Sequence, residues 1–209
     1  MSASQIKAVI FDIGRVLVRV DVSRAMQSLS QGISLSPQEL WTAIEKDPRW
    51  PDWQEGRISA RDWHLHLTKR IGSSLSFDQF AEAWNRALDP QPMQDNSLFE
   101  SLRKNFRLGL LSNTDPIHVA HLEATYDFFR FFPRSTRTYS CAVGSSKPSA
   151  LIFRDALKSL RSKAEESVFI DDIQTYVQAA RSLGMNAIHY QGPVQLRQEL
   201  NSLGANLSA

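Results

Sequence analysis

The chain has 209 residues, 42% of them hydrophobic and 22% charged, with 9 Gly and 9 Pro, which excludes collagen-like, coiled-coil and wholly disordered proteins. That length allows one domain, or one domain with a modest insert. Its 24 Lys and Arg against 22 Asp and Glu leave a net charge of +2 dispersed along the chain, which argues against a nucleic-acid partner.

In chain order, Met1–Gln5 lacks the basic segment of a signal peptide, and no stretch reaches the ~18 apolar residues that a bilayer span requires. A soluble cytoplasmic protein with no membrane partner is the expectation. Lys7-Ala8-Val9-Ile10-Phe11 is a continuous apolar run, as in a strand buried on both faces of a parallel sheet, and it stops at Asp12-Ile13-Gly14. The character then changes: all five Trp residues (Trp41, Trp50, Trp53, Trp63 and Trp84) fall in residues 15–94, where strong strand runs are missing. Helices are predicted there at Ser36–Lys46, Ser59–Ile71 and Ser76–Leu88, with Ser36 and Ser59 as N-caps followed by Glu39 and Asp62. Trp50, Trp53 and Trp63 are expected to form the core of this segment, with room for one of them to face a ligand. Asp89-Pro90-Gln91-Pro92 reads as a stiff linker.

A helix is predicted at Asn96–Lys104, then a strand at Arg107–Leu111 ahead of Ser112-Asn113. His118 and His121 read as ordinary surface residues. A weaker strand at Thr138–Val143 would bury Cys141, whose solitude excludes an intramolecular disulfide. A helix at Ser149–Leu160, a strand at Ser167–Ile170 ahead of Asp171-Asp172, a helix at Gln174–Leu183 stopped by Gly184, and a strand at Asn186–Tyr190 complete the pattern. Strands alternating with helices predict an α/β fold: a doubly wound, mostly parallel sheet with a small α-helical cap inserted after the first strand. The core would comprise residues 1–14 plus 95–209, the cap residues 15–94, and function would lie at the carboxyl ends of the strands.

Asp12, Ser112 with Asn113, Lys147, and Asp171 with Asp172 would meet at that edge. A carboxylate after the first strand can attack phosphorus in line to give an aspartyl-phosphate that water cleaves. Two approaching anions repel, so the site needs positive charge, from Lys147 and from a Mg²⁺ held by carboxylates. Adjacent acids such as Asp171-Asp172 at a strand end also ask for a cation.

Val9-Ile10-Phe11-Asp12-Ile13-Gly14-Arg15-Val16-Leu17, Leu110-Leu111-Ser112-Asn113-Thr114, Lys147-Pro148 and Val168-Phe169-Ile170-Asp171-Asp172 resemble, in order, the four motifs of the haloacid dehalogenase-like (HAD) hydrolases. Ala179-Ala180-Arg181-Ser182-Leu183-Gly184-Met185 is similar to the segment after the fourth motif in the subfamily with a helical cap after the first strand. Glu55-Gly56-Arg57-Ile58-Ser59 resembles the cap of bacterial sugar-phosphate phosphatases, notably those acting on α-glucose 1-phosphate. The resemblance implies a Rossmann-like core and a Mg²⁺-dependent phosphatase of small, sugar-phosphate-type monoesters. Asp12 would be the nucleophile. Asp12, the Gly14 carbonyl and Asp172 would bind the metal, with Asp171 behind them or reaching it through water. Ser112, Asn113 and Lys147 would bind phosphate. Arg15, from its position beside the nucleophile loop, is expected to face the substrate. The expected partner is a small phosphorylated metabolite, with the chain working as a monomer or a homodimer.

Two positions depart from that pattern. Gly14 stands where most family phosphatases carry a second acid, and Tyr176 stands where Asn or Asp is usual. Asp21 is considered as a replacement acid, but a loop or N-cap aspartate is the simpler reading. The departures motivate one alternative, a non-catalytic or regulatory phosphate-ligand-binding protein on the same scaffold; a second, a metal-independent 2-haloacid dehalogenase, would also lack the second acid, so Gly14 does not separate it from a phosphatase.

Overall fold

The computed structural model describes residues 5–205 and 207; Met1–Ser4, on which most of the signal-peptide expectation falls, lie outside the described residues. The run Ala8–Phe11 forms β1, with every residue buried. It lies at the centre of a five-stranded parallel sheet with β4 (Arg107–Ser112), β5 (Arg137–Tyr139), β6 (Ser167–Asp171) and β7 (Asn186–His189), in the order β5-β4-β1-β6-β7. Ala8 pairs with Arg107 on one side and Ser167 on the other, so β1, β4 and β6 finish level with one another.

The period of two along each strand divides the apolar residues between two faces. Val9, Phe11, Leu110 and Ile170 pack with an aromatic group that includes Phe99, Phe128 and Phe132. Ala8, Ile10, Leu111 and Phe169 pack against Ile152, Phe153 and Val177 of the helices Ala150–Ser159 and Gln174–Ser182. These are the helices expected at Ser149–Leu160 and Gln174–Leu183. Gly109 allows the close approach on this side, because a Cβ there would lie 2.7 Å from a Leu160 methyl.

A second layer consists of the helices Val22–Leu29, Pro37–Glu45, Trp50–Gln54, Ala60–Ile71 and Phe77–Asn85. Ser36 and Glu39 form a reciprocal capping box, as do Ser76 and Gln79, and the Ser59 hydroxyl accepts from the Asp62 amide. This layer has its own core, in which Trp53 and Trp63 stack with ring centres 4.8 Å apart. Two expectations need correction. Asp89–Pro92 is no mere linker: it belongs to strand β3 (Leu88–Pro92), which pairs antiparallel with β2 (Val18–Val20). Proline is tolerated there because the ribbon has only two strands, each with an edge free of ladder bonds. The segment Thr138–Val143 divides into the end of β5 and a short helix, Ser140–Val143, which leaves Cys141 half-buried. No helix among the described residues is long and apolar enough to cross a membrane.

The layers meet at the loop after Trp50–Gln54. The Ser140 hydroxyl donates to the Gln54 carbonyl at 2.7 Å, and a Glu55 carboxylate oxygen accepts from the Ser146 amide at 3.1 Å. Gly56 has φ +69°, and a Cβ on it would fall 1.9 Å from the Cys141 carbonyl oxygen. Gly56→Ala is therefore expected to lower the melting temperature by more than Gly32→Ala, whose site is also left-handed (φ +79°) but open. Overpacking of this kind costs roughly 1–3 kcal/mol, or about 2–12 °C for a chain of this size, as differential scanning fluorimetry would read; equal shifts for both variants would contradict the close contact.

Candidate active site

Asp12 follows β1 directly, and its amide donates to the Ile170 carbonyl at 2.9 Å, which continues the parallel ladder by one residue. Ser112 ends β4 and Asp171 ends β6, so all three reach the same edge of the sheet. Lys147 arrives from the loop after the short helix Ser140–Val143. Its Nζ lies 2.6 Å from Asp171 Oδ2 and 2.9 Å from Asp12 Oδ1, with only 3% of the residue exposed. The rings of Tyr176 and Phe169 flank the ammonium with centroids 5.0 and 5.4 Å away. Burial alone would lower the Lys147 pKa, but the charges of Asp12 and Asp171 outweigh it and hold the group above its ordinary value.

Asn113 fixes the lysine's backbone: its Oδ1 accepts from the Lys147 amide at 2.8 Å and its Nδ2 donates to the Lys147 carbonyl at 3.0 Å. Its side chain is thus directed at the lysine loop. Ser112 is 4% exposed, lines the cleft, and its hydroxyl has no hydrogen-bond partner among the described residues. Tyr176, at the unusual position, presents its ring to Lys147 in place of an amide or carboxylate.

Asp12, Asp171 and Asp172 each offer a carboxylate oxygen, and these oxygens lie within 4.8 Å of one another. Burial and then the Asp12 charge push the carboxyls of both Asp171 and Asp172 above the usual range, with Lys147 and, for Asp172, Arg15 opposing. An all-oxygen set with crowded negative charge fits a hard divalent cation such as Mg²⁺. Arg15 adopts a left-handed φ of 58° and sits 3.9 Å from Asp172. Together Asp12, Gly14, Arg15, Ser112, Lys147 and Asp172 line a cleft of about 400 Å³ whose far wall includes Trp41 and Trp50. Of the three tryptophans expected in the core of the helical layer, Trp53 and Trp63 are fully buried there and Trp50 reaches the cleft.

Asp21 is the N-cap of Val22–Leu29. A hydrogen bond from the Ser23 hydroxyl, with others from backbone amides, holds its carboxyl below the usual range, which suits a cap and not a proton donor. Cys141 is no reactive thiol, since burial pushes its pKa up to about 11. His118 is not an ordinary surface residue. Its Nδ1 lies 3.1 Å from Asp115 Oδ2, its Nε2 lies 3.3 Å from the Trp84 carbonyl, and its ring stacks on the Trp84 indole. Trp84 Nε1 donates to the same Asp115 oxygen at 3.1 Å, so the helical layer and the segment after β4 are latched together. Glu55 and this latch went unassigned in the sequence; for Glu55 the resemblance of its loop was the one available signal.

The model for haloacid dehalogenase-like hydrolases matches residues 6–184. The chain belongs to that family. Among its relatives, D-ribitol-5-phosphate phosphatase from Bacteroides thetaiotaomicron is 26% identical over 93% of this chain and 97% of its own length. The sesquiterpene phosphatase astK of Aspergillus oryzae is 24% identical over 94% of this chain and 96% of its own. A HAD family enzyme from Bacteroides thetaiotaomicron, crystallised with magnesium and inorganic phosphate, superposes with a TM-score of 0.79 at 25% identity, covering 90% of this chain and 95% of that one.

Both partners of His118 are oxygen atoms, a setting that favours the imidazolium form. Burial opposes this, but the Asp115 charge prevails and the His118 pKa is raised, while Asp115, despite its burial, is lowered chiefly by His118. The His118 contribution is complete below its ordinary pKa of 6.5 and is lost as pH rises through the raised folded value; that of Asp115 is present above 3.8 and lost as pH falls through its lowered one. The melting-temperature gap between the native chain and His118→Gln should therefore be widest between about pH 4 and 6.5 and should close in alkaline buffer. A gap independent of pH would show that the charge is not involved.

Proposed function

We propose that the chain is a Mg²⁺-dependent phosphatase of small phosphomonoesters that works through an aspartyl-phosphate on Asp12. The observation that carries this reading is the junction of Asp12 with the buried Lys147 ammonium, inside a carboxylate cluster at the level carboxyl ends of β1, β4 and β6. The reading takes residues 15–94 as a cap over a core of residues 1–14 and 95–209, with the β2–β3 ribbon carrying both crossings. The separate hydrophobic core of the helical layer supports that division.

An Asp12 oxygen attacks phosphorus, the bond from phosphorus to the ester oxygen breaks, and the leaving oxygen departs with the electron pair. Water then attacks the aspartyl-phosphate and restores the carboxylate with release of inorganic phosphate. Lys147 holds Asp12 in place and offsets its charge, Ser112 offers a hydroxyl to a phosphate oxygen, and Asn113 fixes the lysine. Arg15 faces the anionic substrate at the mouth of the cleft. Asp12, Asp172 and the Gly14 carbonyl would hold Mg²⁺, with Asp171 behind them; bound there, the ion would supply further positive charge as two anions approach. The carboxylate cluster favours this chemistry over metal-independent dehalogenation, which would leave the clustered charge without a use. The ribitol-phosphate and sesquiterpene phosphatases among the relatives support a phosphomonoester, and they differ widely in the carbon skeleton they release.

Asp12→Asn and EDTA treatment should each lower phosphate release from a phosphoester panel by more than about 10³-fold while the fold persists by circular dichroism. Turnover of a haloacid in EDTA, or phosphate-ester binding without any turnover in saturating Mg²⁺, would overturn the assignment. A second outcome concerns the missing acid. A Cβ on Gly14 would meet nothing nearer than a Val20 methyl, at an ordinary 3.5 Å. Gly14→Asp should therefore be accommodated, and it should raise turnover of alkyl phosphates about 10-fold or more, given the ~10²–10⁴ that general acid–base help supplies. Esters of acidic alcohols should gain less, because their leaving oxygen needs less protonation.

A further inference from the structure

Beside the cleft lies a chamber of about 160 Å³ between the helical layer and the sheet. Its walls are mostly hydrocarbon: Val22, Ala25, Met26 and Ala87, with the indoles of Trp41 and Trp50. Val20, Trp41, Trp50 and Asn113 line both the chamber and the cleft, so the two lie side by side across shared walls. A group bonded to a phosphoryl at Asp12 has this chamber as its neighbour.

The polar side chains on the chamber wall are largely committed within the protein. Asn113 is bonded to the Lys147 backbone. Asp115 accepts from the amides of Ile117 and His118 and from the Trp84 indole. Both nitrogens of His118 face acceptors of their own. That leaves the Gln54 carboxamide, the Thr114 hydroxyl and the indole N–H groups of Trp41 and Trp50. A polyol chain placed here would strip water from several hydroxyls, each able to donate and accept, and find few partners, among them indole N–H groups that only donate, whereas a hydrocarbon group gives up no hydrogen bonds on entering. The size is also informative, since a cavity of about 150 Å³ lined by aliphatic and aromatic side chains takes up benzene. Flat indole faces suit a ring in stacked or edge-on contact.

We propose that the natural substrate is a phosphomonoester whose carbon skeleton carries a single apolar ring, seated in this chamber, and not a sugar or polyol phosphate. The proposal rests on the phosphatase reading and narrows it. For an aryl ester, the ring leaves as a phenolate-type oxygen that keeps the electron pair of the broken bond to phosphorus and takes its proton from water. That leaving group suits a site with Gly14 in place of an acid.

The test compares phenyl, benzyl and 2-phenylethyl phosphates with ribitol 5-phosphate, glucose 1-phosphate and acetyl phosphate, in Mg²⁺. At least one ring ester should exceed both polyol esters in kcat/KM by about 10²-fold or more, on the scale at which pockets discriminate between side groups. Ala25→Leu, which fills part of the chamber, should lower the ratio of benzyl phosphate to acetyl phosphate turnover about 10-fold or more. Because that variant could misfold, the native chain is also titrated by calorimetry with benzylphosphonate and methylphosphonate, and the benzyl compound should bind about 10-fold or more tightly. Polyol esters turned over faster than every ring ester, or equal binding of the two phosphonates, would overturn the substrate class while leaving the phosphatase reading intact. Tight benzylphosphonate binding with no ester hydrolysed would uphold the chamber's ligand class and overturn the phosphatase reading alone.

Discussion

The ammonium of Lys147 is the constraint on which the rest of this site depends. Three aspartates are brought to the carboxyl edge of the sheet because β1 and β6 are buried neighbours in register, and their oxygens lie within 4.8 Å of one another. Such a cluster repels itself, and an unpaired lysine at that depth would be equally costly. Placed together they compensate. Removal of one partner from a buried pair typically costs about 3–5 kcal/mol, a large fraction of the ~5–15 kcal/mol that keeps a domain folded. The loop carrying Lys147 is secured accordingly, by Asn113 on the lysine's own backbone and by Glu55 on the preceding amide of Ser146.

The two departures from the family pattern have different physical meanings. Tyr176 keeps contact with the lysine through the electron-rich face of its ring, so the support changes in kind and persists. Gly14 offers no side chain at the position of a second acid, and Asp21 is occupied as a helix cap. On the proposed phosphatase reading, turnover would depend on the acidity of the alcohol released, so the chemistry of the leaving group and the shape of the cavity bear on one question.

Much of the sheet was legible because a strand buried on both faces must be continuously apolar, and β1, β4 and β6 each pass abruptly into polar residues at Asp12, Ser112 and Asp171. The capped helices at Ser36 and Ser59 were legible for a similar reason, as their stop and start signals are local. What escaped was tertiary in origin. Strand β3 contains Pro90 and Pro92, which local rules assign to a linker, and only its pairing with β2 makes it a strand. His118 looks like a surface residue until Trp84, 34 positions earlier, is brought on top of it by the packing of two layers. The engagement of Asn113 with the Lys147 backbone depends on a loop that no periodicity locates.

The chamber beside the cleft belongs to neither layer alone. Met26 and Ala87 come from one side, while Asp115 and His118 come from the other. A guest that fills it touches both and so contributes its contact energy to keeping them joined; separating the layers dismantles the receptacle. Occupancy and cohesion are therefore thermodynamically linked, each strengthening the other by the same amount.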